Sequence, residues 1–249
     1  MHRFRIATYN IHKCRGVDGR VHPERVARVL EEVNADIVSL QEVVSHEGAA
    51  AVKDRARDGA DHQADYLAGR LGLFGAMGEA RKHRGGAYGN VTLSRWDFKL
   101  VRPIDITIGT REQRIALRTD IRLGGHILHV FNVHLGTAVR ERRQQAIRLV
   151  DRDLLRSIDI SGPRIVLGDF NEWVRGLVTK TLVAEFHLTD LRAHLPRARS
   201  YPALAPFLHL DHIYFDHHLR IERAFFHRSR RSLFASDHLP LVADFVLTE

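Results

Sequence analysis

The chain has 249 residues, a single cysteine and a formal net charge of +8. One cysteine excludes an internal disulfide and a thiolate metal cluster, no stretch approaches the roughly 20 apolar residues that span a bilayer, and Met1-His2-Arg3-Phe4-Arg5-Ile6-Ala7 lacks the apolar core and cleavage site of a signal peptide. A cytoplasmic chain with no integral membrane association is expected, folding over residues 1–249 as one domain with a core that needs no staples. The positive balance favours anionic partners, although only five of the 38 basic residues are lysine, so arginine use as a genome habit explains it equally well.

Phe4, Ile6, Thr8 and Asn10 alternate on one side of a first strand, Phe4 to Asn10. Pro23 suits the first turn of a helix, and Val26, Val29, Leu30 and Val33 then form an apolar stripe at helical spacing. Asn34-Ala35-Asp36 breaks it, and Ile37-Val38-Ser39-Leu40 is a buried strand ending at Gln41-Glu42, so the three make a β-α-β unit. Ser45 to Gly59 reads as a loop, Gln63 to Leu71 as a short helix, and Arg81 to Gly86 as a basic loop before the strand Asn90 to Leu93. Strands near Arg114 to Ile121 and Ile127 to Val133 flank the turn signal Gly124-Gly125. A long helix is expected from about Val139 to Ile158, with Ala146, Ile147, Val150, Leu154 and Leu155 inward. After the strand Ile165 to Leu167 come a helix near Leu177 to Phe186, a proline-punctuated loop from Pro196 to Pro206, and strands near Leu210 to Phe215, Arg223 to Phe226 and Leu241 to Leu247. Strands and helices alternate without a linker, as in one α/β domain.

Polar groups gather where these strands stop. Asn10, Glu42, His134, Asp169 with Asn171, and Asp237 with His238 all fall at strand ends. In α/β folds a rigid sheet fixes such groups beside a crevice. Glu42, Asp169 and Asp237, with only amide and imidazole neighbours, suit a hard cation bound through oxygen, so Mg²⁺ or its substitute Mn²⁺ is expected. A zinc spacing such as H-E-x-x-H is absent. Singly these residues are ordinary turn formers, and the inference rests on the set.

The segments Thr8-Tyr9-Asn10-Ile11-His12, Ile37 to Val43 ending Leu-Gln-Glu-Val, Gly89 to Arg95, Phe131-Asn132-Val133-His134-Leu135, Val166-Leu167-Gly168-Asp169-Phe170-Asn171, Leu210-Asp211-His212-Ile213 and Ser236-Asp237-His238-Leu239-Pro240 occur in this order. Together they resemble the endonuclease/exonuclease/phosphatase superfamily, the deoxyribonuclease I-like fold, and among its branches the compact bacterial members. The resemblance implies a four-layer α/β sandwich, two mixed sheets face to face with helices on both outer faces. It implies Asn10, Glu42 and Asp237 as metal ligands. It makes Asp169 and Asn171 holders of the attacking water and phosphoryl oxygen, His238 with Asp211 an acid–base pair, and His134 a donor to phosphate. Arg114, Asn90 and Asn132 are the expected substrate-binding residues.

The reaction so implied is hydrolysis of an anionic phosphoester by in-line attack of water, which needs neutralised charge and a positioned base. A nuclease acting on DNA or RNA is the leading expectation, drawing on the basic stretches Arg81 to Arg84 and His227 to Arg231. A phosphodiesterase or phosphatase acting on lipid headgroups or small phosphorylated molecules is the alternative. A non-catalytic binding module of this fold would show a gap in the ligand set, and none of the positions is missing. No obligate protein partner is implied.

Overall fold

The structure is a computed structural model and describes residues 1–46, 62–83, 86–174, 176–195 and 199–248. The loop expected over 45–59 therefore lies outside the described residues from 47 onward, as do 84–85 of the basic loop and 196–198 of the proline-punctuated one.

In chain order the elements begin with β1 (His2–Asn10), α1 (Pro23–Val33), β2 (Ile37–His46), α2 (Gln63–Leu71), β3 (Phe74–His83) and β4 (Gly86–Ser94). There follow β5 (Phe98–Asp105), β6 (Ile115–Leu123), β7 (His126–His134), α3 (Val139–Leu149), β8 (Arg164–Asp169) and α4 (Leu177–Phe186). The last are β9 (Thr189–Asp190), β10 (Asp211–Phe215), β11 (Leu219–Phe226), α5 (Ser232–Ala235) and β12 (Leu241–Leu247).

Among the described residues these strands form two six-stranded sheets, ordered β11-β12-β1-β2-β4-β3 and β5-β6-β7-β8-β10-β9. Each sheet has one parallel pair, β1 with β2 and β7 with β8, and is antiparallel elsewhere. A parallel pair requires a crossover, supplied by α1 in the first sheet and α3 in the second. The pairing of β1 with β2 stops at Asn10 opposite Gln41, which brings Asn10 beside Glu42, and β7 and β8 set His134 opposite Asp169 in register.

Three apolar clusters define four layers. Phe4, Ile6 and Phe245 meet Leu128, Val130 and Ile213 between the sheets. Val26, Val29 and Leu30 of α1 and Leu67 of α2 cover the outer face of the first sheet. Ala146 and Leu149 of α3 and Val178 and Leu182 of α4 cover the second. The sandwich with helices outside is the architecture the sequence resemblance implied.

Toward the end that carries Asn10 and His134 the space between the sheets turns polar. Asn132 Nδ2 donates to the carbonyls of Leu40 (3.1 Å) and Val91 (2.9 Å) in the opposite sheet, and Asn132 Oδ1 accepts from Gln41 Nε2 at 2.8 Å. Asn90 Nδ2 returns the tie, donating to the carbonyls of Ile115 (3.2 Å) and Asn132 (3.1 Å). Buried amides are stable only when satisfied, and here they sew the sheets together.

The long helix is shorter than expected. It ends at Leu149, where Val150 and Asp151 donate to carbonyls three residues back and the Asp151 side chain accepts from the Arg152 amide. An aspartate offering its own backbone a partner competes with helix continuation. Leu154 and Leu155 are still buried, reached by turns, whereas Ile147 is exposed. Arg81 to His83, expected in a loop, close β3.

Candidate active site

Local backbone irregularities aim the polar groups. The register of β2 against β4 shifts between Leu40 and Val43, so Gln41 and Glu42 share the place opposite one residue. This bulge, with Glu42 at φ 58°, sends Gln41 between the sheets and turns Glu42, expected at a strand end but lying four residues before the end of β2, toward Asn10 at the end of β1. Gly168 has φ 143°, and a Cβ there would sit 1.9 Å from the Val133 carbonyl oxygen, so only glycine lets β8 bring Asp169 this close to β7. His12, Lys13 and Cys14 form a 3-10 turn with φ of 46°, 58° and 55°, and Asn171 has φ 49°. Left-handed backbone at non-glycine residues is costly and gathers where geometry serves function.

Asp169 is the hub. Its Oδ2 accepts from Asn10 Nδ2 at 2.9 Å and lies 3.6 Å from His134 Nε2 and 3.7 Å from His238 Nε2. Its Oδ1 accepts from the Asn171 amide at 2.9 Å. The same Asn10 nitrogen is 3.3 Å from Glu42 Oε1, so Glu42 and Asp169 point into one space. Asp211, opposite Asp169 in register, accepts from His238 Nδ1 at 2.8 Å. The Ser236 hydroxyl donates to the Asn10 carbonyl at 2.8 Å, fastening the loop that carries Asp237 and His238 to the end of β1.

Arg114 stands behind His134, its NH1 donating to Nδ1 at 2.7 Å while NH2 pairs with Glu112 at 2.9 Å. A guanidinium only donates, so Nδ1 is the acceptor and the imidazole proton sits on Nε2, facing Asp169. Burial, then the positive charges of Arg114, His238 and Lys13, hold His134 well below the usual histidine range. His134 is thus neutral. His238 is its opposite: burial lowers its affinity for a proton, but Asp211 and Asp169 on either side outweigh that and keep it charged. Burial raises Asp169 above the ordinary carboxylate range, with His238 pulling it back.

Two further acids open toward solvent. Glu42 Oε2 lies 3.5 Å from Lys13 Nζ, and Asp237 Oδ1 lies 3.6 Å from His12 Nδ1. A lysine and a histidine on one short turn therefore face the two acids. Glu42, Asp237 and the Asn10 carbonyl-type oxygen, which accepts one bond from the His12 amide at 3.0 Å and keeps a lone pair, make an all-oxygen donor set. That chemistry fits a hard divalent cation. Asp169, Asp211 and His238 also have ligand atoms within 4.8 Å of one another. There, however, the His238 proton fills the gap to Asp211, so this trio has the geometry of a proton relay.

The structure gathers Asn10, Glu42, His134, Asp169, Asn171, Asp211, Asp237 and His238 in one site with Arg114 in its wall. Asn132 and Asn90, expected as substrate contacts, are placed differently from these. Asn132 is completely enclosed, and both amide nitrogens spend their hydrogens on backbone carbonyls, leaving none for a phosphoryl oxygen. Sequence reasoning overlooked Lys13, Ser236 and Tyr201, whose ring lies 5.0 Å from that of His238. Lys13 carried a usable signal, being a cation three residues beyond the first strand-end amide.

The family model described as Endonuclease/Exonuclease/phosphatase family matches residues 7–238. A protein of Escherichia coli K12 named uncharacterized protein YbhP is 32% identical over 249 residues, covering 97% of this chain and 95% of its own. Among solved structures, the human Nocturnin catalytic domain with bound sulfate superposes with TM-score 0.74 at 22% identity, over 99% of this chain and 95% of its own. The mannosyl-6-phosphatase Bt3783 of Bacteroides thetaiotaomicron gives 0.72 at 17% identity, over 98% and 100%. At such identities the structural likeness speaks for the fold, and the sequence match for descent: the chain belongs to the endonuclease/exonuclease/phosphatase family.

Proposed function

We propose that the chain is a Mg²⁺-dependent phosphodiester hydrolase, a member of its family that keeps the chemistry. The observation that carries this is Asp169 Oδ2, which faces Asn10, a neutral imidazole and a charged imidazole within 3.7 Å. Such an arrangement can take a proton from water on one side and steady an anionic phosphorus centre on the other.

Asn10, Glu42 and Asp237 would hold the cation, which when bound neutralises phosphoryl and leaving-group oxygens as a Lewis acid. Asp169 accepts the proton of the attacking water, a contribution of roughly 10²–10⁴-fold in general base catalysis. Asp169 itself is held by Asn10 and the Asn171 amide. One hydrogen of the Asn171 side chain goes to the Leu135 carbonyl at 2.9 Å, leaving the other for a phosphoryl oxygen. The Nε2–H of His134 is a second neutral donor, and His238, oriented by Asp211, supplies a positive one. Preorganised donors at a developing charge are the largest lever available to such a site.

Within the basic stretch His227 to Arg231, two residues are committed to an acid of the chain itself. His227 Nε2 contacts Glu32 at 2.9 Å, and Arg231 pairs with the same carboxylate. The test is hydrolysis of bis-p-nitrophenyl phosphate and a broad phosphoester panel with Mg²⁺ or Mn²⁺. Turnover abolished by EDTA, by Asp169→Ala and by His238→Ala is expected. Absence of turnover on every phosphoester with either metal would refute the reading.

A further inference from the structure

Large apolar side chains stand exposed at the mouth of the site. Val139, Trp173, Val174, Leu177, Leu204 and Phe207 are 41–66% exposed. Topology puts them at one end. Val139 opens α3 just past the end of β7; Trp173, Val174 and Leu177 follow β8; and Leu204 and Phe207 precede β10, which runs antiparallel to β8 with Asp211 opposite Asp169. All three segments therefore leave or enter the second sheet at the end that holds His134, Asp169 and Asp211.

The segments are also tied to the site. Trp173 lies two residues beyond Asn171, and its ring is covered by the Arg142 guanidinium at 5.6 Å, one helical turn from Val139. In the other segment, Tyr201 packs on His238, and the Ala203 amide donates to the Asp237 carbonyl at 2.7 Å. The apolar residues thus rim the catalytic opening from two sides. Isolated apolar side chains on a surface need no explanation, but a set around a functional mouth does.

Exposed arginines flank the rim. Arg140 and Arg143 lie beside Val139 on α3, and the NH2 of Arg228 is 3.5 Å from the Leu204 carbonyl. A rim apolar at its centre and cationic at its edges complements a surface that is anionic above and hydrocarbon below. Single-stranded nucleic acid also binds to cationic grooves, but there the apolar partners are aromatic faces on which bases stack. Four of the six rim residues are aliphatic and have no such face. A small phosphorylated sugar would find no use for the rim.

We infer that the catalytic mouth docks on an anionic phospholipid bilayer, with Trp173, Val174, Leu204 and Phe207 entering the interface. The substrate class, which rests on the hydrolase reading, is then a phosphoester of a membrane amphiphile, its headgroup offered to Asp169 while its apolar part stays in the bilayer.

The test is co-sedimentation of the full chain with vesicles of phosphatidylcholine alone and of phosphatidylcholine mixed with phosphatidylglycerol, beside anisotropy with a labelled single-stranded oligonucleotide. Binding to the mixed vesicles is expected, weakened about tenfold or more by the double change Val174→Ser and Phe207→Ser. A blue shift of Trp173 emission on vesicles is expected in a Trp96→Phe background. A folded wild type that ignores mixed vesicles overturns the inference. So does a double variant that binds vesicles unchanged, or one that loses the oligonucleotide instead. Turnover of a soluble diester without vesicle binding removes this inference alone, whereas vesicle binding without turnover of any phosphoester removes the hydrolase reading alone.

Discussion

Arg114 is buried, yet it decides which proton His134 can offer. Without its NH1 on Nδ1 the imidazole is free to hold its proton on either nitrogen, and half the useful donor population is lost or the ring turns. Arg114→Met should lower kcat on the order of 10²-fold, and nitrogen NMR of labelled His134 should show the Nε2–H tautomer giving way to a mixture. A kcat loss with the tautomer intact would instead mean that Arg114 serves the substrate directly. Lys13 makes a different kind of contribution. Its ammonium, 3.5 Å from Glu42 Oε2, occupies the electrostatic place a cation would take. Lys13→Met should therefore tighten Mg²⁺ binding severalfold in calorimetry, even where turnover falls. Unchanged affinity would show that the lysine swings clear before the metal arrives. Gly168 is the most constrained position of the site: with Val133 O at 1.9 Å from any added Cβ, Gly168→Ala should destabilise by roughly 3 kcal/mol or more in urea melts.

At the scale of elements, the site depends on how short segments are pinned. Glu32 on α1 receives the Ser229 hydroxyl at 2.6 Å, His227 Nε2 at 2.9 Å and Arg231, and so fastens the segment between β11 and α5. Burial raises the proton affinity of Glu32, but these three donors outweigh it and bring the carboxyl down to about 2 from 4.5. A carboxyl with a depressed folded value stabilises fully above its unfolded value and loses that stabilisation as pH falls toward the folded one. Glu32→Gln should accordingly cost on the order of 1 kcal/mol at neutral pH, after allowance for solvent screening. The difference from wild type should shrink below about pH 4.5. A gap in melting temperature that stayed constant across that window would show that the carboxylate charge contributes nothing.

The elements legible in the sequence were those with a clear period or a buried apolar run, β1, α1, β2, α2, β7 and β8 among them. β3 escaped notice because Phe74-Gly75-Ala76-Met77-Gly78 holds two glycines and no β-branched residue, and it lies at a sheet edge. β5 is an edge strand of the other sheet, largely exposed and interrupted by Pro103, so it lacks the alternation that marks a half-buried strand. The end of α3 was hidden because its apolar spacing runs on through Leu154 and Leu155, which are buried by turns instead. The chemistry was legible as motifs; the aim of each side chain was not. The bulge at Gln41 and Glu42 and the left-handed turn at His12 to Cys14 are fixed by pairing and packing across the sheets, and no local residue preference announces them.

At the scale of the whole molecule, the described residues form two sheets with one parallel pair each, and the site lies where the ends of the two pairs meet. That junction cannot be closed by apolar packing alone, since the strand ends must keep polar side chains. The amides between the sheets resolve the conflict: they fill the junction while satisfying backbone groups on both sides. Asn132 is the centre of this arrangement, tying the Leu40 and Val91 carbonyls of one sheet to its own strand in the other and accepting from Gln41, the bulge partner of Glu42. Asn132→Leu, close in size, takes the side-chain donor from two buried carbonyls at once, while Gln41 Nε2 keeps only the Thr8 hydroxyl and the Ser39 carbonyl. About 1–3 kcal/mol for each buried group left unsatisfied, partly relieved by relaxation, gives an expected loss of roughly 2–4 kcal/mol in urea denaturation. Because the loosened Gln41 precedes Glu42, Mg²⁺ affinity should weaken in the same variant. If stability held while KM alone rose, Asn132 would be touching substrate, and the two sheets would have to be held in register by something other than these amides.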